Sequence, residues 1–194
     1  MTAQAFAQQA LTGGFAEPAS QSARAFRMAL AVLSQPGTIR QVEGAAPPAP
    51  LSVAAGTLLL VLADRSTPLW LAPSHDTREL RDWIAFHVGA PLVAPANAMF
   101  ILGTWAALQP VDRFPIGRPD YPDRSATLIV ETTALNADGP GLRGPGIRGT
   151  ARLALPEIAA FRENRRLFPL GFDCFFTAGD RIAGLPRSTI VEAA

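Results

Sequence analysis

Apolar positions along the chain change period several times, and each change marks an element. Ala23, Phe26, Leu30 and Leu33 recur at helical spacing, with Ser20 or Ser22 placed to cap, Arg24 and Arg27 beside the stripe, and Pro36-Gly37 to stop the helix. Residues 1–17 are rich in Ala, Gln and Gly and lack that period, so the sequence predicts a loosely held arm there and one α/β domain over 18–194. Thr38 to Glu43 alternates as a short strand, and the Pro-rich stretch Ala45 to Pro50 reads as a loop. The length and Ala/Leu content of Val53 to Ala63 predict a buried helix. Asp64 to Pro68 then turns the chain into the strand Leu69-Trp70-Leu71.

Asp76 or Thr77 caps a second amphipathic helix with Leu80, Trp83, Ile84 and His87 on one face, ended by Gly89 and Pro91. Ala98 to Leu102 reads as a strand and Pro110 to Arg124 as a long polar loop. Ala126 to Ala134 gives the clearest strand, Leu128, Val130 and Thr132 alternating with Ile129, Glu131 and Thr133. Pro156 opens a helix over Glu157 to Leu167, and Phe172 to Thr177 and Arg181 to Leu185 form a closing hairpin. Helices interleaved with strands, plus that hairpin, predict a layered α/β sandwich with a mixed sheet.

Composition narrows the chemistry. Of 194 residues, 48% are hydrophobic, enough for a sizeable core, and a net charge of +1 offers no electrostatic footprint for nucleic acid or an anionic membrane. All 17 basic residues are arginines. Without lysine there is no side-chain amine for a Schiff base with pyridoxal phosphate, and no Gly-Lys-Ser/Thr loop for a nucleotide. Cys174 stands alone beside His75 and His87, which excludes an internal disulfide, a four-cysteine cluster and a closed Cys/His zinc site. No metal or cofactor is expected. The apolar setting Phe172-Asp-Cys-Phe-Phe176 makes Cys174 a structural thiol. The absence of basic residues before Arg24 and the shortness of the apolar run Leu51 to Ala63 lead us to expect a cytoplasmic protein without a membrane span.

Two features invite a functional reading. The segment Gly139-Pro-Gly-Leu-Arg-Gly144-Pro-Gly-Ile-Arg-Gly149 matches G-x-G-x-x-G twice, with Glu163 downstream. A dinucleotide site needs a helix to open at the third glycine, and Pro145 and Pro156 leave no room for one, so strand–loop–strand is the better reading. Arg162, Arg165 and Arg166 could grip a phosphate, though a solvated helix face is the better account of them. Asp64, His87 and Asp173 could serve a free-standing small-molecule hydrolase as acid/base groups, or be a capping aspartate, a helix-end histidine and an edge aspartate.

An ordered set of segments resembles the PhnH family, a subunit of the bacterial carbon–phosphorus lyase system. The segments are Phe26-Arg27 with Leu33-Ser34-Gln35-Pro36-Gly37, Leu60 to Leu71, Phe86-His87 with Ala90-Pro91-Leu-Val93, and Ala126-Thr127-Leu128-Ile129. Leu142 to Ile147, Phe168 to Asp173 and Leu185 to Val191 complete it, so that it runs from about residue 20 to 192. Asp123-Arg124-Ser125 departs from it, where a glycine is expected before Ala-Thr-Leu.

The resemblance implies a three-layer α/β/α sandwich like the large domain of pyridoxal-phosphate-dependent transferases, without the cofactor. It also implies a homodimer and membership of a complex with the pathway's G, I and J subunits. That complex supports transfer of an alkylphosphonate onto the ribose of ATP with release of adenine. No catalytic residue carries over. A ligand or interface cluster is sought among Arg27, Asp64, His87, Asp173, Arg187 and Thr189, which lie inside the matching segments. The aromatic residues Trp70, Trp83, Trp105, Phe168, Phe172, Phe175 and Phe176 are candidates for a dimer interface.

Overall fold

The computed structural model describes residues 11–192. In chain order, helix α1 (Pro18–Ser34) leads to strand β1 (Ile39–Gln41), helix α2 (Val53–Leu62), strand β2 (Leu69–Leu71), helix α3 (Arg78–His87) and strand β3 (Phe100–Thr104). A short helix α4 (Trp105–Leu108), a hairpin of β4 (Ile116–Arg118) and β5 (Tyr121–Ser125), and strand β6 (Thr127–Glu131) follow. The chain ends with β7 (Gly141–Arg143), β8 (Ala151–Arg152), helix α5 (Ile158–Arg166), β9 (Asp173–Ala178), β10 (Arg181–Leu185) and β11 (Ile190–Val191).

The fold is mixed α/β around a six-stranded mixed sheet of order β1-β10-β9-β6-β3-β2. β2, β3, β6 and β9 run parallel, while β10 and β1 are added antiparallel. Parallel strands are covered on both faces, so their side chains are apolar in both directions. Leu102, Ile129 and Phe175 meet Val32 of α1, Leu58 and Leu59 of α2, and Trp83 and Ile84 of α3 on one face. Ile101, Leu128, Val130 and Phe176 meet Phe161 of α5, Leu142 of β7 and Val191 of β11 on the other. The second covering layer is thus one longer helix plus the small sheet β11-β7-β8.

Several sequence expectations shift. α1 begins at Pro18, with no side-chain cap from Ser20 or Ser22, and it buries Ala25, Ala29 and Val32. The stripe expected to face the core is turned to solvent, with Phe26 44% and Leu30 51% exposed. Small residues face inward because the helix lies close on β10: a Cβ at Gly184 would come 2.7 Å from the Val32 carbonyl oxygen. The third strand is Phe100–Thr104, two residues later than its pattern suggested at each end. The polar loop Pro110 to Arg124 contains the β4–β5 hairpin, which its prolines concealed. α5 starts at Ile158, so Pro156 precedes the helix.

Of the expected N-terminal arm, residues 1–10 lie outside the described residues. Over 12–14 the chain crosses α3 and the Pro-rich loop, Thr12 giving its carbonyl to His87 (3.0 Å) and Gly13 accepting the Ala46 amide (2.8 Å).

The inverted α1 pattern sets a stability test. Phe175→Ala should cost about 3–5 kcal/mol in denaturant unfolding, as for other buried phenylalanines. Leu30→Ala, compared at dilutions where the chain is monomeric, should stay within about 0.5 kcal/mol, as for an exposed site.

Candidate functional site

Open α/β sheets place their ligand crevices at the carboxyl ends of the parallel strands. Here the register puts Thr104, the last residue of β3, opposite Glu131, the last of β6, and Glu131 opposite Thr177 of β9. All three share the side-chain parity of Leu102, Ile129 and Phe175, so they stand at the rim beneath α2. The Ser52 hydroxyl caps α2 by accepting the Ala55 amide (3.1 Å), and the Ser52 N–H donates to Glu131 Oε1 (2.7 Å). Thr177 Oγ1 donates to Glu131 Oε2 (2.9 Å). The loop after β2 adds Ser74 and His75: the Ser74 hydroxyl accepts the Thr104 amide (3.2 Å) and lies 2.9 Å from His75 Nδ1.

His75 is buried, its Nε2 has no hydrogen-bond partner, and Glu131 Oε1 lies 3.9 Å from it. At that distance the pair is not a hydrogen bond. Burial pushes the His75 imidazole below its ordinary 6.5. It pushes the Glu131 carboxyl above its ordinary 4.5, against the opposing pull of the donors from Ser52 and Thr177. Both groups are driven towards their neutral forms. Ser74 and His75 are within reach of a shared proton, while Glu131 stands outside hydrogen-bond reach of the ring.

Sequence reasoning passed over Ser52, Ser74, His75, Thr104, Glu131 and Thr177. Glu131 had been read as a polar position of an alternating strand. What could have flagged it is a lone carboxylate ending a strand whose preceding residues, Leu128 to Val130, are apolar on both faces.

The residues singled out from the sequence lie elsewhere. Asp173 opens β9, at the opposite end of the parallel strands, and is bound to Arg187. Arg187 Nη2 reaches Asp173 Oδ2 at 2.6 Å, Nε reaches Oδ1 at 3.1 Å, and the Arg187 amide donates to Oδ1 at 2.8 Å. The same guanidinium donates to the Pro122 carbonyl (2.8 Å) and the Ser125 hydroxyl, tying β9 to the end of β5. Thr189 shares the turn after β10, donating its amide to the Pro186 carbonyl (2.9 Å), with its hydroxyl buried and unpartnered.

Asp64 forms a tight turn after α2: the Ser66 hydroxyl and amide and the Thr67 hydroxyl hold its carboxyl below the ordinary value. His87, at the end of α3, bonds to Thr12 and packs beside Trp83 and Phe86. Arg27 is exposed on α1. Among the described residues no hydrogen bond or ion pair joins Arg27, Asp64 and His87 to one another or to the Asp173–Arg187 pair. An acid/base set of Asp64, His87 and Asp173 is therefore not assembled; each is engaged with a different partner.

The glycine segment is structural. β7 lies within it and β8 follows it, no helix opens within it, and Gly146, at φ +78°, packs against the Ser34 carbonyl where a Cβ would overlap. Cys174 is buried, and burial pushes its thiol well above the ordinary range. Among the described residues, no group of three His, Cys, Asp or Glu could hold a metal, and no helix is long and apolar enough to cross a membrane.

The rim cluster sets a pH test. His75 binds its proton less readily when folded, so the unfolded chain is protonated first. Stability should therefore fall as pH drops below about 6.5. Glu131 acts with the opposite sign at lower pH, where the folded carboxyl takes its proton first. Urea midpoints compared between pH 8 and 5.5 should fall less for His75→Gln than for the unaltered chain. A midpoint that falls more for His75→Gln than for the unaltered chain would mean that His75 is protonated against Glu131.

The model of the bacterial phosphonate metabolism protein (PhnH) family matches residues 13–192. A protein of Rhizobium meliloti (strain 1021), the alpha-D-ribose 1-methylphosphonate 5-triphosphate synthase subunit PhnH, is 39% identical over 203 aligned positions, covering 99% of each chain. The putative C-P lyase subunit protein HtxG of Stutzerimonas stutzeri is 29% identical over 176 positions, 87% of this chain and 84% of that one. A match that runs from the segment crossing α3 to the residue after β11 covers every element of the sheet and both of its faces, and on it this chain belongs to the PhnH family of bacterial phosphonate metabolism proteins.

Proposed function

We propose that this chain is a non-autonomous subunit of a ribose 1-methylphosphonate 5-triphosphate synthase within a carbon–phosphorus lyase complex. The observation that carries the reading is the end-to-end 39% identity to the Rhizobium synthase subunit. The reaction is transfer of an alkylphosphonate onto the ribose of ATP, with adenine leaving, in the cytoplasm. Such a transfer needs a grip on several phosphate charges and support for a ribosyl centre that becomes cation-like. This chain supplies no P-loop, and its arginines stay protonated, which suits them to phosphate contact rather than to base catalysis. Partners therefore complete the site, and the pathway's G, I and J subunits are the ones proposed. The proposed likeness to the large domain of pyridoxal-phosphate-dependent transferases concerns the scaffold alone, since no lysine is present to form the imine.

Adenine release from ATP and methylphosphonate should be absent with this chain alone. It should appear when the partner subunits are added and drop when this one is left out. Robust release by the isolated chain would favour an independent enzyme instead.

A homodimer belongs to the same reading, but the aromatic residues that suggested it are mostly internal. Trp83, Phe172, Phe175 and Phe176 are buried, and of the original set only Phe168 is well exposed, at 50%. Support comes instead from the outer stripe of α1, where Ala23, Phe26 and Leu30 lie exposed one helical turn apart. Light scattering at micromolar concentration should show a dimer for the unaltered chain. The Phe26→Glu/Leu30→Glu variant should be a folded monomer, whereas an unchanged dimer would place the interface elsewhere.

A further inference from the structure

β1 ends the six-stranded sheet, and only one of its two edges is paired. Its ladder with β10 is antiparallel, Arg40 lying opposite Ile182 and the Val42 amide donating to the Asp180 carbonyl (2.8 Å). In such a ladder alternate residues turn their backbone groups towards and away from the neighbour. Arg40 and Val42 therefore bond to β10, while Ile39 and Gln41 direct theirs outward, where no described residue meets them. A bare edge of this kind is a template for an added strand.

A cleft of about 280 Å³ runs between this edge and α1. Ala25, Met28 and Val42 give it apolar lining, and Arg24 and Arg27 stand on its α1 side. Val42 packs into the core beneath α1 and Ile39 into the core of the opposite face, so strand alternation turns Arg40 towards α1 as well. Arg24, Arg27 and Arg40 are all exposed. Gln21, Gln41 and Glu43 also line the cleft, Arg40 lies outside its lining, and Asp180 is already bonded by the Gln41 side chain (2.6 Å).

We propose that this edge and cleft bind an extended segment of a partner protein by strand addition, its acidic side chains set at alternate positions towards α1. A second copy offering its own β1 would bring both sets of guanidinium groups to one seam, and like charges across a strand pair are destabilising. That the partner is a fellow subunit rests on the proposed function; the chemistry of the edge does not.

Hydrogen exchange at Ile39 and Gln41 in the full chain, free and in the complex assembled with its partner subunits, reads the edge directly. Exchange at both amides should slow by roughly tenfold or more on assembly. The Arg24→Glu/Arg27→Glu variant, altered only at exposed positions, should assemble roughly tenfold more weakly. Unchanged exchange at both amides in a complex that forms overturns the proposal, as does concentration-dependent slowing in the free chain, which would mean a second copy. If no complex forms, the subunit reading fails. The edge is then judged by NMR titration of the full chain with an acetylated octapeptide alternating Glu and Val. Amide shifts at Ile39 and Gln41 that are absent with a Lys/Val octapeptide uphold the edge, and their absence with both sinks it.

Discussion

A carboxylate removed from water costs several kcal/mol unless donors meet it, and Glu131 obtains its donors from separate elements. The Ser52 amide brings the N-terminus of α2, and the Thr177 hydroxyl brings β9, to the end of β6. The meeting works only in the observed register, because a slip of one residue would turn Glu131 to the opposite face. The same register seats Ile129 and Phe175 beneath α2 and α3. Polar satisfaction at the rim and apolar packing in the core therefore select one alignment of the central strands. His75 sharpens the demand, since its buried Nε2 adds a polar atom that this alignment leaves without a partner.

The two ends of the parallel strands are built differently. At the amino end, Asp173 and Arg187 neutralise each other, and the guanidinium gives further donors to Pro122 and Ser125. That end is a clamp. The carboxyl end holds two groups whose charge is suppressed by burial, and His75 Nε2 there lacks a hydrogen-bond partner. The layout of the sheet thus directs attention to this rim, although Asp173 and Arg187, singled out in the sequence, sit at the other end.

Much of the fold was legible because the signals were local. Thr77 begins its helix, Leu69-Trp70-Leu71 is a strand as its preceding turn required, and β9 and β10 pair as a hairpin. What escaped depended on distant partners. The inward face of α1 is chosen by Gly184, far along the chain, and periodicity cannot tell which stripe of Ala, Phe and Leu that contact selects. β4, β5 and β11 are short, and β11 exists only as a pairing to β7. The rim cluster was hidden for the same reason: Ser52, His75, Glu131 and Thr177 are scattered in sequence and have no shared spacing. Asp173 and Arg187 stand among the six residues sought for a cluster, and the structure joins those two as an ion pair that no shared spacing in the sequence announces.

The pairing of β1 with β10 also governs when the chain can fold. Gln41 and Asp180, which close that corner, are 139 residues apart in sequence. α1 has its close seat only once Gly184 of β10 is present. Among the described elements, the early α1 and β1 must therefore wait for the late β10, with the apolar faces of α1 and α2 uncovered meanwhile. Non-local pairing of this kind slows folding and lengthens the exposure of sticky intermediates. Chain synthesis and sheet closure are forced into sequence rather than overlapping, so loss of the final strands would unseat the beginning of the protein as surely as its end.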